Sequence, residues 1–152
     1  MRLALVATVA AVAAWGCAAR AHFAPADGAA IRRVLDAQVA AWNRGDLDAY
    51  MDGYARTDDL VFTSGGNVRL GWQVAFDHYR KRYAEDRAAM GTLRFEITRV
   101  DPVGADAAVV LGTWVLTGSP ADGRGVFSLV LARRPEGWRV IHDHTSVAPP
   151  AP

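Results

Sequence analysis

Gly137-Trp138-Arg139-Val140-Ile141-His142-Asp143-His144-Thr145-Ser146 is the last patterned stretch of the chain, and its reading decides the fold. It follows a Pro135-Glu136-Gly137 turn, and alternation on a β-strand sends successive side chains to opposite faces. Trp138, Val140, His142, His144 and Ser146 then share one face, with Arg139, Ile141, Asp143 and Thr145 on the other. A face that begins apolar and ends in two imidazoles and a hydroxyl is expected to run from a core into a polar pocket. A one-residue slip of register would exchange the His face for the Asp143 face.

The segments just upstream are also β. Leu93, Phe95 and Ile97 alternate with Arg94, Glu96 and Thr98, and residues 102–106 form a turn. Residues 107–117 make a long apolar strand containing Trp114. Residues 119–123 are a hairpin loop, and 125–133 a further strand. The Pro-rich tail 148–152 cannot join a sheet and is expected to be disordered.

The first half of the chain is helical. Asp27 is placed as the N-cap of a helix whose stripe is Ile31, Val34, Leu35, Gln38, Val39 and Trp42. Gly45 fits its C-terminus, and Asp46 caps a second helix carrying Leu47, Tyr50, Met51 and Tyr54. A short strand, residues 60–63, and a Gly65-Gly66-Asn67 turn follow. Gly71 opens a third helix, with Trp72, Ala75, Phe76, Tyr79 and Tyr83 on one side and the charge run Arg80-Lys81-Arg82 on a solvated face. Helices first and an antiparallel meander after them argue for an α+β fold, with the helices on one face of a strongly bent sheet.

The N-terminus reads as a targeting segment. Arg2 precedes an apolar run, Leu3 to Trp15, which is short of the about 20 residues that span a bilayer. Ala19-Arg20-Ala21 offers a small-x-small cleavage site. A lipoprotein cut between Gly16 and Cys17, with Cys17 lipidated, is the alternative. The expected organisation is a signal peptide over 1–21, a linker over 22–28, a domain over 29–147 and the tail. The location is then periplasmic or secreted, with contact to a membrane only through a lipid anchor.

At 152 residues the chain has room for one domain with a real core. The formal charge is +1; losing Arg2 and Arg20 takes it to −1, and a start at Cys17 takes it to 0. That balance carries no basic footprint for nucleic acid. Cys17 is the single cysteine, so no disulfide can form within the chain.

Gln38-Val39-Ala40-Ala41-Trp42-Asn43-Arg44-Gly45-Asp46-Leu47-Asp48-Ala49-Tyr50 resembles the opening of the SnoaL-like branch of the nuclear-transport-factor-2-like superfamily. The closing Gly137–Ser146 stretch is similar to that branch's terminal strand, and to the association domain of calmodulin-dependent kinase II. The resemblance runs from Ala29 to Val147. It implies a cone of three N-terminal helices on a strongly curved, mostly antiparallel sheet that encloses a cavity. It also implies a homodimer formed through the sheet's outer surface. Superfamily members include isomerases, dehydratases, cyclases and pure binding or assembly modules, so the fold alone decides little about function.

Ketosteroid isomerase, the best-understood enzyme of that superfamily, needs a carboxylate base, a tyrosine and a protonated aspartic acid. Matched by motif, its tyrosine falls on Gln38, its base near Thr63 or Ser64 and its aspartic acid on Ser128, so that chemistry is not expected. His142 and His144 remain as candidate general bases near neutral pH. Asp143 faces away from both in a regular strand, and only a bulge would change that. Two histidines at i, i+2 can reach one ion, but no third ligand stands at local spacing, so neither metal nor cofactor is expected. The expected ligand is a small, largely apolar molecule held by Gln38, Trp42, Tyr54, Arg69, Trp114, Ser128, Asp143 and Ser146. With no carboxylate standing at the base position, the balance tips toward binding. A cofactor-independent isomerase or lyase, and a homo-oligomeric assembly module, are the other two readings.

Overall fold

A computed structural model describes residues 22–83 and 87–149. Helix α1 spans Pro25–Asn43, α2 Leu47–Met51 and α3 Trp72–Tyr83. The strands are β1 Val61–Ser64, β2 Asn67–Leu70, β3 Thr92–Val103, β4 Ala107–Thr117, β5 Gly123–Arg134 and β6 Gly137–Val147, with a 3-10 turn Arg87–Met90 before β3. The six strands form one sheet in the order β2-β1-β6-β5-β4-β3. Only β1 and β6 run parallel; the rest is antiparallel. The helices pack on the concave face of this curved sheet, the α+β cone that the family resemblance implied.

Helix α1 buries Ile31, Leu35, Gln38, Ala41 and Trp42, one stripe at helical spacing. Each fully buried large aliphatic side chain contributes about 1.5–3 kcal/mol, so Ile31, Leu35, Met51, Leu60, Leu131 and Val140 anchor the core. The start of α1 differs from expectation. Pro25 takes the first turn and Ala24 the N-cap, which puts Asp27 at N3. Asp27 reaches back to accept from the Ala24 N–H at 2.9 Å, and also accepts from Trp138 Nε1 at 3.3 Å and Arg133 at 2.8 Å. It therefore ties the first turn of α1 to β5 and β6 rather than capping a later start, and the helix begins inside the segment read as linker.

Gly45, at φ 76, ends α1 in the left-handed region that a side chain disfavours. Asp46 then caps α2 by accepting from the Ala49 N–H at 3.0 Å. Helix α2 stops at Met51, so Tyr54 is not on its face. The backbone there turns instead to pair with β6: Val140 N–H donates to Gly53 O and Ala55 N–H to Val140 O, both at 2.9 Å. Tyr54 is fixed opposite Val140 by that bridge.

Two bulges bend the sheet. In β3 the register shifts at Thr98, and in β6 it shifts at Ile141, since Val130 pairs with His142 while Leu131 pairs with Val140. The second shift overturns the expected face. Trp138 and Val140 point to the concave side, but after the extra residue it is Asp143, Thr145 and Val147 that follow them. His142, His144 and Ser146 turn to the convex side, opposite Val130, Ser128 and Val126. The segment read as a signal peptide, with Cys17, and the last residues of the tail lie outside the described residues.

Candidate functional site

Between the three helices and the concave sheet lies a cavity of about 370 Å³. Its walls are mostly aromatic. Helix α1 supplies Trp42 and Gln38, α2 supplies Tyr50, and α3 supplies Tyr79 and Tyr83. Phe62 comes from β1, Phe95 from β3, Trp114 from β4 and Phe127 from β5. Many of these rings meet edge to face, as with Trp42 on Tyr50 at 5.1 Å and on Tyr83 at 4.9 Å, the geometry that aromatic quadrupoles favour.

A run of hydrogen-bonded polar groups on the lining centres on Asp143. Asp143 is 4% exposed, and each of its carboxylate oxygens accepts from a hydroxyl. Tyr54 Oη donates to Oδ2 at 2.8 Å and Thr145 Oγ1 to Oδ1 at 2.9 Å. Beyond Tyr54, the hydroxyls of Tyr50 and Tyr79 follow at 3.5 Å steps. Gln38 donates its amide to the Tyr50 carbonyl at 3.1 Å, fixing the C-terminal end of α2 against α1. On the rim, Trp114 Nε1 donates to Ser146 O at 3.1 Å, which positions the indole across the end of β6.

Burial pushes the Asp143 carboxyl up to about 6; the Tyr54 and Thr145 hydroxyls and the charge of His144 behind the strand oppose the shift. Burial also pushes Tyr50 up to about 12, with the Asp143 charge adding to it, and moves Tyr54 and Tyr79 well above the ordinary phenol value for the same reasons. The tyrosines are therefore neutral hydroxyls at any physiological pH, and Asp143 is a carboxyl that titrates near neutrality.

Of the residues singled out from sequence, Gln38, Trp42, Tyr54, Trp114 and Asp143 come together in this cavity. His142, His144 and Ser146 do not, because the Ile141 bulge puts them on the convex face, where His144 is exposed; Ser128 does not either, since on β5 it alternates with the inward-facing Phe127 and Leu129. Arg69 lies across from Phe62 near α3 but does not line the cavity. Burial holds the His78 imidazole below its ordinary value, and the charges of Arg69, Arg82 and Lys81 add to that. Tyr50, Tyr79, Tyr83 and Thr145 were missed as site residues. The signal was present, since buried tyrosines each seek a partner for a hydroxyl. Among the described residues no three His, Cys, Asp or Glu side chains come together as a metal site would need.

A curved sheet closed by helices around a cavity with one buried carboxyl defines the class, a cone-shaped α+β cavity protein. Residues 31–150 match the SnoaL-like domain family, and the chain belongs to it. A nuclear-transport-factor-2-like protein of unknown function from Shewanella oneidensis is 37% identical, with 78% of this chain and 98% of that one covered and a TM-score of 0.75. A domain of unknown function with a cystatin-like fold from Nostoc punctiforme is 22% identical, covering 84% and 80%, with a TM-score of 0.68. A ketosteroid isomerase-like protein from Erwinia carotovora atroseptica is 23% identical, covering 80% and 96%, with a TM-score of 0.61. No curated protein matches the sequence.

Proposed function

We propose that this chain is an exported cavity protein that binds a small, largely apolar molecule, with one polar group of the ligand reaching Asp143. The observation that carries the reading is the shape and lining of the cavity: about 370 Å³ walled by aromatic rings, with the carboxyl, hydroxyl and amide groups of Asp143, Tyr54, Thr145 and Gln38 on its lining. Ligand sites commonly combine an apolar wall with a few fixed polar groups in this way. The targeting segment supports export. The exposed Leu111 and Val126 on the convex side of the sheet support a homodimer through that face. Native mass spectrometry of the protein purified from its host envelope tests the reading. A co-purifying small molecule that is lost on Asp143→Asn substitution supports it; uptake of no small molecule by any variant overturns it.

A second reading is favoured by one specific observation. A buried carboxyl on the cavity lining, pushed up to about 6 by burial and held by two hydroxyls, suits general acid–base chemistry, and it moves the candidate base from His142 or His144 to Asp143. The chemistry would be that of a cofactor-independent isomerase or lyase. Asp143 would remove a proton from carbon beside a carbonyl, and the Tyr50–Tyr79 hydroxyls would stabilise the oxygen that gains charge. Deuterium exchange at the α-carbon of a bound ketone, abolished by Asp143→Asn, is the expected result; exchange unaffected by that change would remove Asp143 from the role.

A further inference from the structure

The charge inside the cavity is unbalanced. Among the described residues three charged side chains line it, and two of them, Arg82 and Asp122, are exposed at the rim. The third, Asp143, is buried. Its partners are neutral hydroxyls, and among the described residues no arginine or lysine acts on it; the imidazole of His144 stands behind it on the other face of β6. A carboxylate oxygen has two lone pairs, so one accepted bond on each leaves capacity for a further donor from the cavity side. A buried ionised carboxylate without a cation is costly, and a partner charge relieves that cost.

The surroundings point to the nature of that partner. Tyr50, Tyr54, Tyr79 and Phe62 form a continuous aromatic cluster on the cavity lining that reaches the carboxylate through Tyr54, with ring centroids 5.3–6.3 Å apart between neighbours. Aromatic faces attract cations, most strongly where water is excluded. A bare metal ion is a poor fit, since hard cations demand several oxygen ligands and no three His, Cys, Asp or Glu side chains meet among the described residues. A carboxylate or phosphate ligand would carry its charge toward another negative charge. A neutral apolar ligand would leave Asp143 unbalanced.

We propose that the cavity selects organic cations: a quaternary or protonated tertiary amine whose ammonium group sits against Asp143 among the tyrosine rings, its apolar body extending toward Trp114. This rests on the reading of the cavity as a small-molecule site and adds the charge class of the ligand.

The test measures displacement of the neutral fluorophore N-phenyl-1-naphthylamine from the protein at pH 8 by three probes of one size class. These are benzyltrimethylammonium, its carbon isostere neopentylbenzene, and phenylacetate. The expected result is that benzyltrimethylammonium binds at least tenfold more tightly than neopentylbenzene, and that Asp143→Asn cuts this preference below threefold. Equal binding of the two isosteres overturns the cation proposal and leaves the cavity reading standing, as does phenylacetate binding tightest. A preference undiminished in Asp143→Asn also overturns it, because the carboxylate is then not the counter-ion. Failure of the fluorophore and all three probes to bind overturns both readings. The wild-type ranking needs no variant, so a poorly folded Asp143→Asn protein does not spare the proposal.

Discussion

Tyr54 Oη donates to Asp143 Oδ2 at 2.8 Å, although 89 residues separate them in sequence. The contact exists because two local irregularities coincide. The early end of α2 lets the chain pair with Val140 and fixes Tyr54 beside β6, and the extra residue Ile141 turns Asp143 inward. A charge-assisted bond of this kind holds the ionised carboxyl in a place where burial opposes ionisation.

Removing that donor gives the first prediction. Tyr54→Phe keeps the ring and deletes the hydroxyl, so the Asp143 carboxyl rises further above its value of about 6. Carboxyl carbon NMR across a pH titration measures the shift. The protein also loses about 1–3 kcal/mol of stability, the usual cost of stranding a buried polar group. A fall in the titration midpoint would contradict the geometry.

The second prediction concerns pH and stability. The folded value of about 6 lies above the ordinary 3.8, so the folded state binds a proton that the unfolded state has lost between those two values. Stability from this group is complete below pH 3.8 and is lost as pH rises through about 6. Its size is about 3 kcal/mol, at 1.36 kcal/mol per pH unit of difference. Chemical denaturation of wild type and Asp143→Asn at pH 4.5 and pH 8 reads it directly. The variant gains on the wild type as pH rises; parallel curves would show that Asp143 does not titrate in this window.

The histidines give the third. His142 and His144 lie on the convex face, so a His142→Ala/His144→Ala double substitution leaves uptake of N-phenyl-1-naphthylamine within about twofold of wild type. An abolished uptake with an unchanged melting temperature would place an imidazole at the cavity after all.

The outcome at Asp143 shows what the sequence carried and what it withheld. The periodicities of α1, α3 and the four long strands were legible because burial of Ile31, Leu35, Leu93 and Val110 enforces them. Gln38, Trp42, Tyr54 and Trp114 were legible as cavity residues because they are polar-tipped or large groups on apolar faces. The inward side of β6 beyond Val140 was not. Alternation gives the face of a regular strand, and a bulge is a two-strand property: the mismatch of Ile141 against Val130 and Leu131 is set by pairing. The start of α1 was missed for a related reason. Asp27 satisfies any N-cap rule, but its partners Trp138 and Arg133 are over a hundred residues away.

The last prediction concerns Gly125, which lets two neighbours close on β5 where the sheet meets the end of the cavity. It pairs with Trp114 on one side and Val147 on the other. A Cβ built there would collide with the Ser146 carbonyl oxygen and lie 2.7 Å from Trp114 Nε1, the two atoms that hydrogen-bond to each other at 3.1 Å. Gly125→Ala must therefore move backbone or expel the indole, at about 1–3 kcal/mol or more. Gly66→Ala is the control. Its Cβ meets nothing within 4 Å, and only its positive φ of 75° opposes the change, at about 1–2 kcal/mol. Both variants should therefore lose stability in thermal melts. Only Gly125→Ala should also shift the tryptophan emission, because only there does the added methyl reach Trp114 and the cavity wall that it forms. Unchanged emission in Gly125→Ala would mean that β5 and β6 can separate without disturbing that wall.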